Sequence, residues 1–151
     1  TAKALGCGVP VGAFLMTEEV GRNSLAAGDH GTTYGGNPLA CAAVEKVLDL
    51  FEQNHIIENV REVSPYLEQR LDALKDRYGC ILERRGAGLM QGLVFDGPVQ
   101  EVIERALESG LILINAGPNI IRFVPPLVIS KANIDEMIEI LESCIEPSET
   151  V

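Results

Sequence analysis

The sequence predicts an α/β protein in which helices cover one face of a mainly antiparallel sheet. From residue 80 onward, short apolar runs alternate with amphipathic patterns in the order strand, strand, helix, strand, strand, helix. A long helical pattern precedes this series. The first 36 residues instead hold more than half of the 15 glycines, a composition typical of loops.

The first half of the chain contains one candidate strand and two candidate helices. Val11–Met16 is a short apolar run and predicts a strand. Asn37-Pro38 predicts a helix start, because Asn is a good N-cap and Pro suits the first helical position; we expect this helix to end near Gln53. From residue 56 to residue 74 apolar residues recur every three or four positions, as on one buried helical face. Pro65 inside that pattern predicts a kink or a new helix start.

The second half supplies the sheet and two further helices. Gly and Asn-Ala-Gly-Pro turns separate its apolar runs, which is the usual arrangement of short antiparallel strands. A Ser before the last amphipathic run predicts an N-cap. The predicted strands are Cys80–Glu83, Leu89–Phe95, Leu111–Ile114 and Ile120–Val124, and the predicted helices are Val99–Leu107 and a final one that begins after Ser130.

Charge and composition exclude several classes of function. The chain has 151 residues, with 22 acidic against 12 basic residues and a net charge of -10. Such a surface disfavours nucleic acids and anionic membranes, which bind clustered Lys and Arg. No apolar run approaches the roughly 20 residues that span a bilayer. The four cysteines form no CxxC pair, so we expect reduced thiols in the cytoplasm and no metal site. Because the chain begins without Met, we also expect it to be cut from a longer protein.

Three features could carry chemistry. Lys3 precedes an apolar, Gly-rich turn; a lysine amine attacks carbonyls when a pocket keeps it neutral, although the bare sequence favours a solvated side chain. The segment Gly28–Pro38 places hydroxyls and backbone N–H groups at a helix start. It is interpreted either as a phosphate cradle or as a tight structural turn. Arg122 lies in an apolar run, where it either extends outward, pairs with a carboxylate of the chain, or binds a substrate carboxylate.

Together these segments resemble one family, the class-III, fold-type I aminotransferases that use pyridoxal 5'-phosphate (PLP). The resemblance covers nearly the whole chain, and its motifs occur in the family's order and spacing. They are Ala2–Gly6 with Gly8–Ala13, then His30–Leu39, and finally Ile121–Ile129. Cys7 stands where the family often has Gly, and a small side chain should be tolerated there.

The resemblance implies a role for four residues. Lys3 is the catalytic lysine that holds PLP as a Schiff base and carries the proton of the 1,3-shift. Thr33 binds the cofactor phosphate across a homodimer interface, and Thr32 contacts substrate in the partner subunit's site. Arg122 binds the substrate α-carboxylate. The cofactor acts as the electron sink, and the protein supplies orientation.

The resemblance also implies a domain assignment and a reaction. Residues 1–53 would be the end of the large PLP-binding domain, and residues 54–151 a linking helix with the small C-terminal α/β domain. The reaction would transfer the amino group of N-acetylornithine to 2-oxoglutarate, giving glutamate, in arginine biosynthesis. Ornithine, succinylornithine and 4-aminobutyrate are alternative donors, and a non-catalytic α/β interaction domain is an alternative class. The family's other site residues precede its lysine, so we expect this chain to be inactive without an N-terminal part of the same enzyme.

Overall fold

The computed structural model describes residues 1–145, which divide into two compact units. The first unit comprises residues 1–55 and the second begins at Ile56. A short 3-10 helix, Lys3–Gly6, opens the first unit. The α-helices are α1 (Glu18–Ser24), α2 (Pro38–Gln53), α3 (Ile56–Arg77), α4 (Gln100–Glu108) and α5 (Lys131–Cys144). The strands are β1 (Ile81–Ala87), β2 (Met90–Phe95), β3 (Ile114–Asn115) and β4 (Ile120–Phe123).

The second unit contains the sheet, and its topology confirms the predicted fold class. The strand order is β1-β2-β4-β3, and all three neighbouring pairs are antiparallel. β1 and β2 form a hairpin, and β1 requires glycine near the turn. Gly86 has φ +132, and a Cβ built on it would lie 2.2 Å from the Met90 carbonyl oxygen. This hairpin fixes which residues of the two strands face each other.

One face of the sheet is apolar and forms the core with the helices. In β4 the alternate residues Ile121 and Phe123 are buried on this face, because successive side chains of a strand point to opposite faces. In β2 all residues from Gln91 to Phe95 are buried, so this strand is covered on both faces. α3 contacts β1, β2 and α5, while α4 packs on α5 and β3. The fully buried side chains of this core include Leu67, Leu71, Leu93, Ile121, Ile134 and Leu141. Each contributes about 1.5–3 kcal/mol by leaving water.

A polar cluster fixes the β1–β2 hairpin to α3. The guanidinium of Arg84 donates from Nε to Asp72 at 2.9 Å and from Nη1 to Gln91 Oε1 at 3.0 Å. The buried Gln91 amide donates to Glu68 at 3.1 Å and to the Gly88 carbonyl at 2.8 Å. Because these groups are partly buried, their mutual hydrogen bonds offset the cost of removing them from water.

Two predicted helix starts have the expected caps. Asn37 Oδ1 accepts the Ala40 N–H at 3.0 Å, and α2 ends at Gln53 as predicted. Ser130 and Asn133 form a reciprocal capping box at the start of α5. α3 runs through Pro65 as one helix, so of the two alternatives predicted there a new helix start was wrong, and a kink stays a prediction.

The prediction of a strand over Val11–Met16 was also wrong, and a helix was missed. The segment carries no regular structure, because a strand needs a partner and the described residues 1–55 contain none. α1 follows it, capped by Thr17, whose hydroxyl accepts the Val20 N–H at 3.3 Å. The predicted strand Leu111–Ile114 is reduced to β3, which starts at Ile114. Within residues 1–145 no helix is both long and apolar enough to cross a membrane.

Candidate functional site

Lys3 opens the 3-10 helix in an unusual backbone conformation. Its φ is +56, in the left-handed region that residues other than glycine seldom adopt. Its side chain is exposed and makes no ion pair or hydrogen bond within the described part of the chain. A strained backbone of this kind persists where surrounding contacts impose it, and it is common at functional sites.

The loop after Lys3 is closed by short-range contacts. The Ala13 N–H donates to the Thr1 carbonyl at 2.9 Å, and the Cys7 N–H donates to the Ala4 carbonyl at 3.0 Å. Gly6 is buried, and a Cβ on it would lie 2.7 Å from Val11 Cγ1, so a side chain there would displace the loop. These contacts hold the backbone that presents Lys3.

Cys7 has φ +46, a left-handed backbone conformation that favours glycine. The thiol is exposed, so the side chain itself meets no steric barrier. A residue other than glycine is therefore disfavoured here by backbone conformation and not by side-chain packing.

Thr32 and Thr33 lie in an exposed turn that leads into α2. The Gly35 N–H donates to the Thr32 carbonyl at 3.4 Å. The Asn37 side chain donates to the Tyr34 carbonyl at 2.9 Å while capping α2. The Asn37 side chain thus connects the turn to α2. Thr32 and Thr33 are both exposed.

The helix start offers fewer free donors than the cradle expected from the sequence. Pro38 has no N–H, and the N–H groups of Ala40 and Cys41 are both bonded to Asn37. Leu39 keeps the first N–H of α2 available. Donation to an anion at this turn therefore depends mainly on the threonine hydroxyls.

Arg122 lies on β4 between the buried Ile121 and Phe123, with its own side chain on the exposed face of the sheet. No carboxylate of residues 1–145 pairs with it. Of the alternatives left by the sequence, extension outward is observed. Within the described residues the guanidinium donors of Arg122 are thus free, and such a fork matches a carboxylate.

The predicted residues divide between the units: Lys3, Thr32 and Thr33 belong to the first and Arg122 to the second. Within the first unit, the Phe14 ring meets the His30 ring edge-on at 5.0 Å. This contact joins the segment that follows the Lys3 loop to the residues just before Thr32.

Two residues lie beside Arg122 in the sheet. Arg122 is paired across the sheet with Gly92 of β2, and Gly92 is paired with Arg85 of β1. A glycine inside an apolar strand is the signal that could have drawn attention to this row. The strand register, which places Arg85 and Arg122 on one face, is not readable from the sequence.

Among residues 1–145, the titratable groups with shifted pKa values owe the shift chiefly to burial or to a side-chain hydrogen bond. Burial raises the pKa of the Cys80 thiol, which disfavours the nucleophilic thiolate. Hydrogen bonding from Arg84 lowers the pKa of Asp72, as expected for a structural ion pair. Within residues 1–145 no three His, Cys, Asp or Glu side chains are grouped as metal ligands.

Comparison with known proteins finds similar sequences over nearly the whole chain. Acetylornithine aminotransferase of Clostridium acetobutylicum is 46% identical over 146 residues, which are 96% of this chain and 38% of that protein. The mitochondrial acetylornithine aminotransferase of Saccharomyces cerevisiae is 44% identical, over 97% of this chain and 34% of its own length. The chain thus spans about a third of the length of the curated relatives it matches.

A solved structure shares the fold. The lysine aminotransferase of M. tuberculosis superposes with a TM-score of 0.76 at 30% identity, over 84% of this chain and 30% of that one. The architecture is therefore that of the fold-type I aminotransferases. More narrowly, the family model for class-III aminotransferases matches residues 1–145, and the chain belongs to that family.

Proposed function

We propose that this chain is the C-terminal part of a PLP-dependent acetylornithine aminotransferase. The reaction is transfer of the amino group of N-acetylornithine to 2-oxoglutarate, a step of arginine biosynthesis. The observation that carries the proposal is 46% identity to a protein of that name over 96% of the chain. The presence of Lys3, Thr33 and Arg122, the residue types that the chemistry needs, supports a catalytic rather than a purely structural role.

The residues of the first unit fit the cofactor. Lys3 presents an exposed amine on a backbone held by the closed loop. The Thr33 hydroxyl is free to donate to a phosphate, and the turn containing it is fixed by Asn37. When bound, PLP supplies the electron sink for breaking bonds at the amino carbon. Lys3 would hold the cofactor and then carry a proton on its Nζ atom.

Substrate recognition would involve Thr32 and Arg122. Arg122 would hold the α-carboxylate through a charge-assisted fork, and its free donors support this role. Thr32 would contact substrate in the site of a partner subunit. The proposal thus includes a homodimer, an N-terminal part of the same enzyme, and a cytoplasmic location; the yeast relative, by contrast, is named as mitochondrial.

An amino-donor panel tests the reaction. The complete polypeptide that carries this chain would be supplied with PLP and 2-oxoglutarate, and glutamate formation would be measured with N-acetylornithine, ornithine, succinylornithine, lysine and 4-aminobutyrate in turn. We expect the highest kcat/KM with N-acetylornithine. Preference for lysine is the leading alternative outcome, because the M. tuberculosis lysine aminotransferase has the same fold. If none of the five donors gives glutamate, the result would support a non-catalytic domain.

A further inference from the structure

A glycine-rich segment leads into the turn over residues 32–36. Gly28 has φ +101, and a Cβ built on Gly28 or on Gly31 would meet no atom beyond its neighbouring residues within 4 Å. Glycine imposes few restrictions on the backbone, so the chain is weakly restricted at these two positions. His30 lies between the two glycines, and its side chain is therefore well placed to hold the approach to the turn.

The His30 ring contacts the Phe14 ring. The two ring centroids lie 5.0 Å apart and the ring planes meet at 77°, the edge-to-face geometry that aromatic pairs prefer. Within residues 1–145 the His30 side chain has no ion pair and no hydrogen bond. His30 is exposed, and Phe14 is 54% exposed. The ring contact is therefore the specific interaction that holds His30 in the described part of the chain.

Phe14 is attached directly to the loop that presents Lys3. Both backbone groups of the preceding residue, Ala13, are bonded to Thr1. The Ala13 N–H donates to the Thr1 carbonyl at 2.9 Å, and the Ala13 carbonyl accepts from the Thr1 nitrogen at 2.7 Å. These two bonds close the loop around Lys3, so the Phe14 ring extends from a backbone that is held in place. The ring contact thus joins the Lys3 loop to the approach of the turn.

The turn is thereby held at both ends. At its far end the Asn37 side chain bonds the turn and caps α2, and α2 contacts the 3-10 helix that begins at Lys3. At its near end the contact between His30 and Phe14 holds it. Loss of the near contact should leave the Thr33 hydroxyl in the chain but weaken its fixed position.

We propose that His30 and Phe14 are positioning residues that place Thr33 for the phosphate group of PLP. The role rests on the proposed contact between Thr33 and that phosphate. A hydroxyl that is already in place loses less conformational entropy when the ligand binds, so the ring pair raises affinity without touching the cofactor. In the proposed homodimer Thr33 serves the site of the partner subunit. The pair then connects the lysine loop of one site to the phosphate donor of the other.

The test is titration of the complete polypeptide with PLP and with pyridoxal, which lacks the phosphate, followed by absorbance. His30→Asn and Phe14→Leu each remove one ring, and each should weaken PLP binding about three- to tenfold, the effect of one aromatic pair. Pyridoxal binding should stay unchanged, because the turn acts on the phosphate alone. The double variant should bind PLP no more weakly than the weaker single variant, since both changes remove the same contact. His30→Phe should restore the parental affinity, because it restores an aromatic pair.

His55→Asn is the matched control. His55 is exposed in the same unit, and asparagine tolerates its left-handed backbone conformation, φ +49. PLP binding unchanged in His30→Asn, or weakened equally in His55→Asn, would overturn the proposal. Equal loss of PLP and pyridoxal affinity would also overturn it, as would a parent that binds PLP no more tightly than pyridoxal.

The same variants keep this role separate from the proposed reaction. A polypeptide that shows the expected loss of PLP affinity but forms glutamate from none of the donors would contradict only the reaction. A polypeptide that transaminates N-acetylornithine, with a PLP affinity that His30→Asn leaves unchanged, would contradict only the role of the ring pair.

Discussion

Arg122 is the residue at which sequence and structure give the clearest functional expectation. Its neighbours on β4 are buried, yet its own side chain is exposed and has no carboxylate partner in the described part of the chain. Substitution should therefore affect ligand binding and leave folding intact. If the arginine were structural, its substitution would lower stability and leave ligand binding unchanged.

We expect Arg122→Gln in the complete enzyme to raise KM for carboxylate substrates about ten- to a hundredfold, because a hydrogen bond to a charged group contributes about 1.5–3 kcal/mol. Steady-state kinetics with 2-oxoglutarate measure this, and thermal unfolding of the same variant should match the parent. A lowered melting temperature with unchanged KM would mean that Arg122 is structural.

At the scale of elements, the side-chain amide of Asn37 contacts both α2 and the turn that contains Thr32 and Thr33. Asn37 caps the helix through Oδ1 and holds the turn through Nδ2, which donates to the Tyr34 carbonyl. Asn37→Ala should lower the free energy of unfolding by about 1 kcal/mol, the usual value of an N-cap. Urea unfolding followed by circular dichroism measures this loss.

Asn37→Asp separates the two roles of this residue. Aspartate keeps the cap acceptor and favours the helix N-terminus, but it cannot donate to the Tyr34 carbonyl. Stability should therefore stay near that of the parent, whereas hydrogen exchange in the turn over residues 32–36 should increase. Equal loss of stability in both variants would contradict this division of roles.

We expect the free energy of unfolding to depend on pH through Asp72, which is bonded to Arg84 of the β1–β2 hairpin. Hydrogen bonding to Arg84 lowers the pKa of Asp72 below its ordinary 3.8. A lowered folded-state pKa means that the ion pair stabilises the fold above about pH 3.8 and is lost as the pH falls through the folded-state value. The stability difference between the parent and Asp72→Asn should thus be full at pH 7 and shrink below pH 3.8.

Urea unfolding of both proteins at a series of pH values measures this difference. Asp76→Asn is the matched control, since the Asp76 side chain is 74% exposed and its ion pair is with Lys75 rather than with the hairpin. A difference between the parent and Asp72→Asn that stays constant down to pH 2 would mean that the carboxylate charge is not what stabilises the hairpin.

At the scale of the whole molecule, local signals were enough to predict most of the second unit. The Ser130 cap defines the start of α5 by short-range chemistry, as the Asn37 cap does for α2 in the first unit. The apolar run Leu89–Phe95 indicates β2 in the same local way. Val11–Met16 was misassigned because a strand depends on a partner that local sequence does not reveal. The alignment of Arg85 and Gly92 with Arg122 was not predicted, because strand register depends on pairing between residues far apart in the sequence.

The account as a whole depends on Lys3, and the chain allows a direct test because it has only four lysines. Lys3 has no ion-pair partner in the described residues, whereas Lys75 and Lys131 are paired with acidic side chains. The complete polypeptide would be incubated with PLP, reduced with borohydride and mapped by peptide mass, in parallel with Lys3→Ala. We predict one pyridoxyl group on Lys3, saturating with PLP and absent from the variant. Equal labelling of Lys46, Lys75 and Lys131, or a Lys3 left unlabelled at saturating PLP, would contradict the assignment of this chain to a PLP-dependent enzyme.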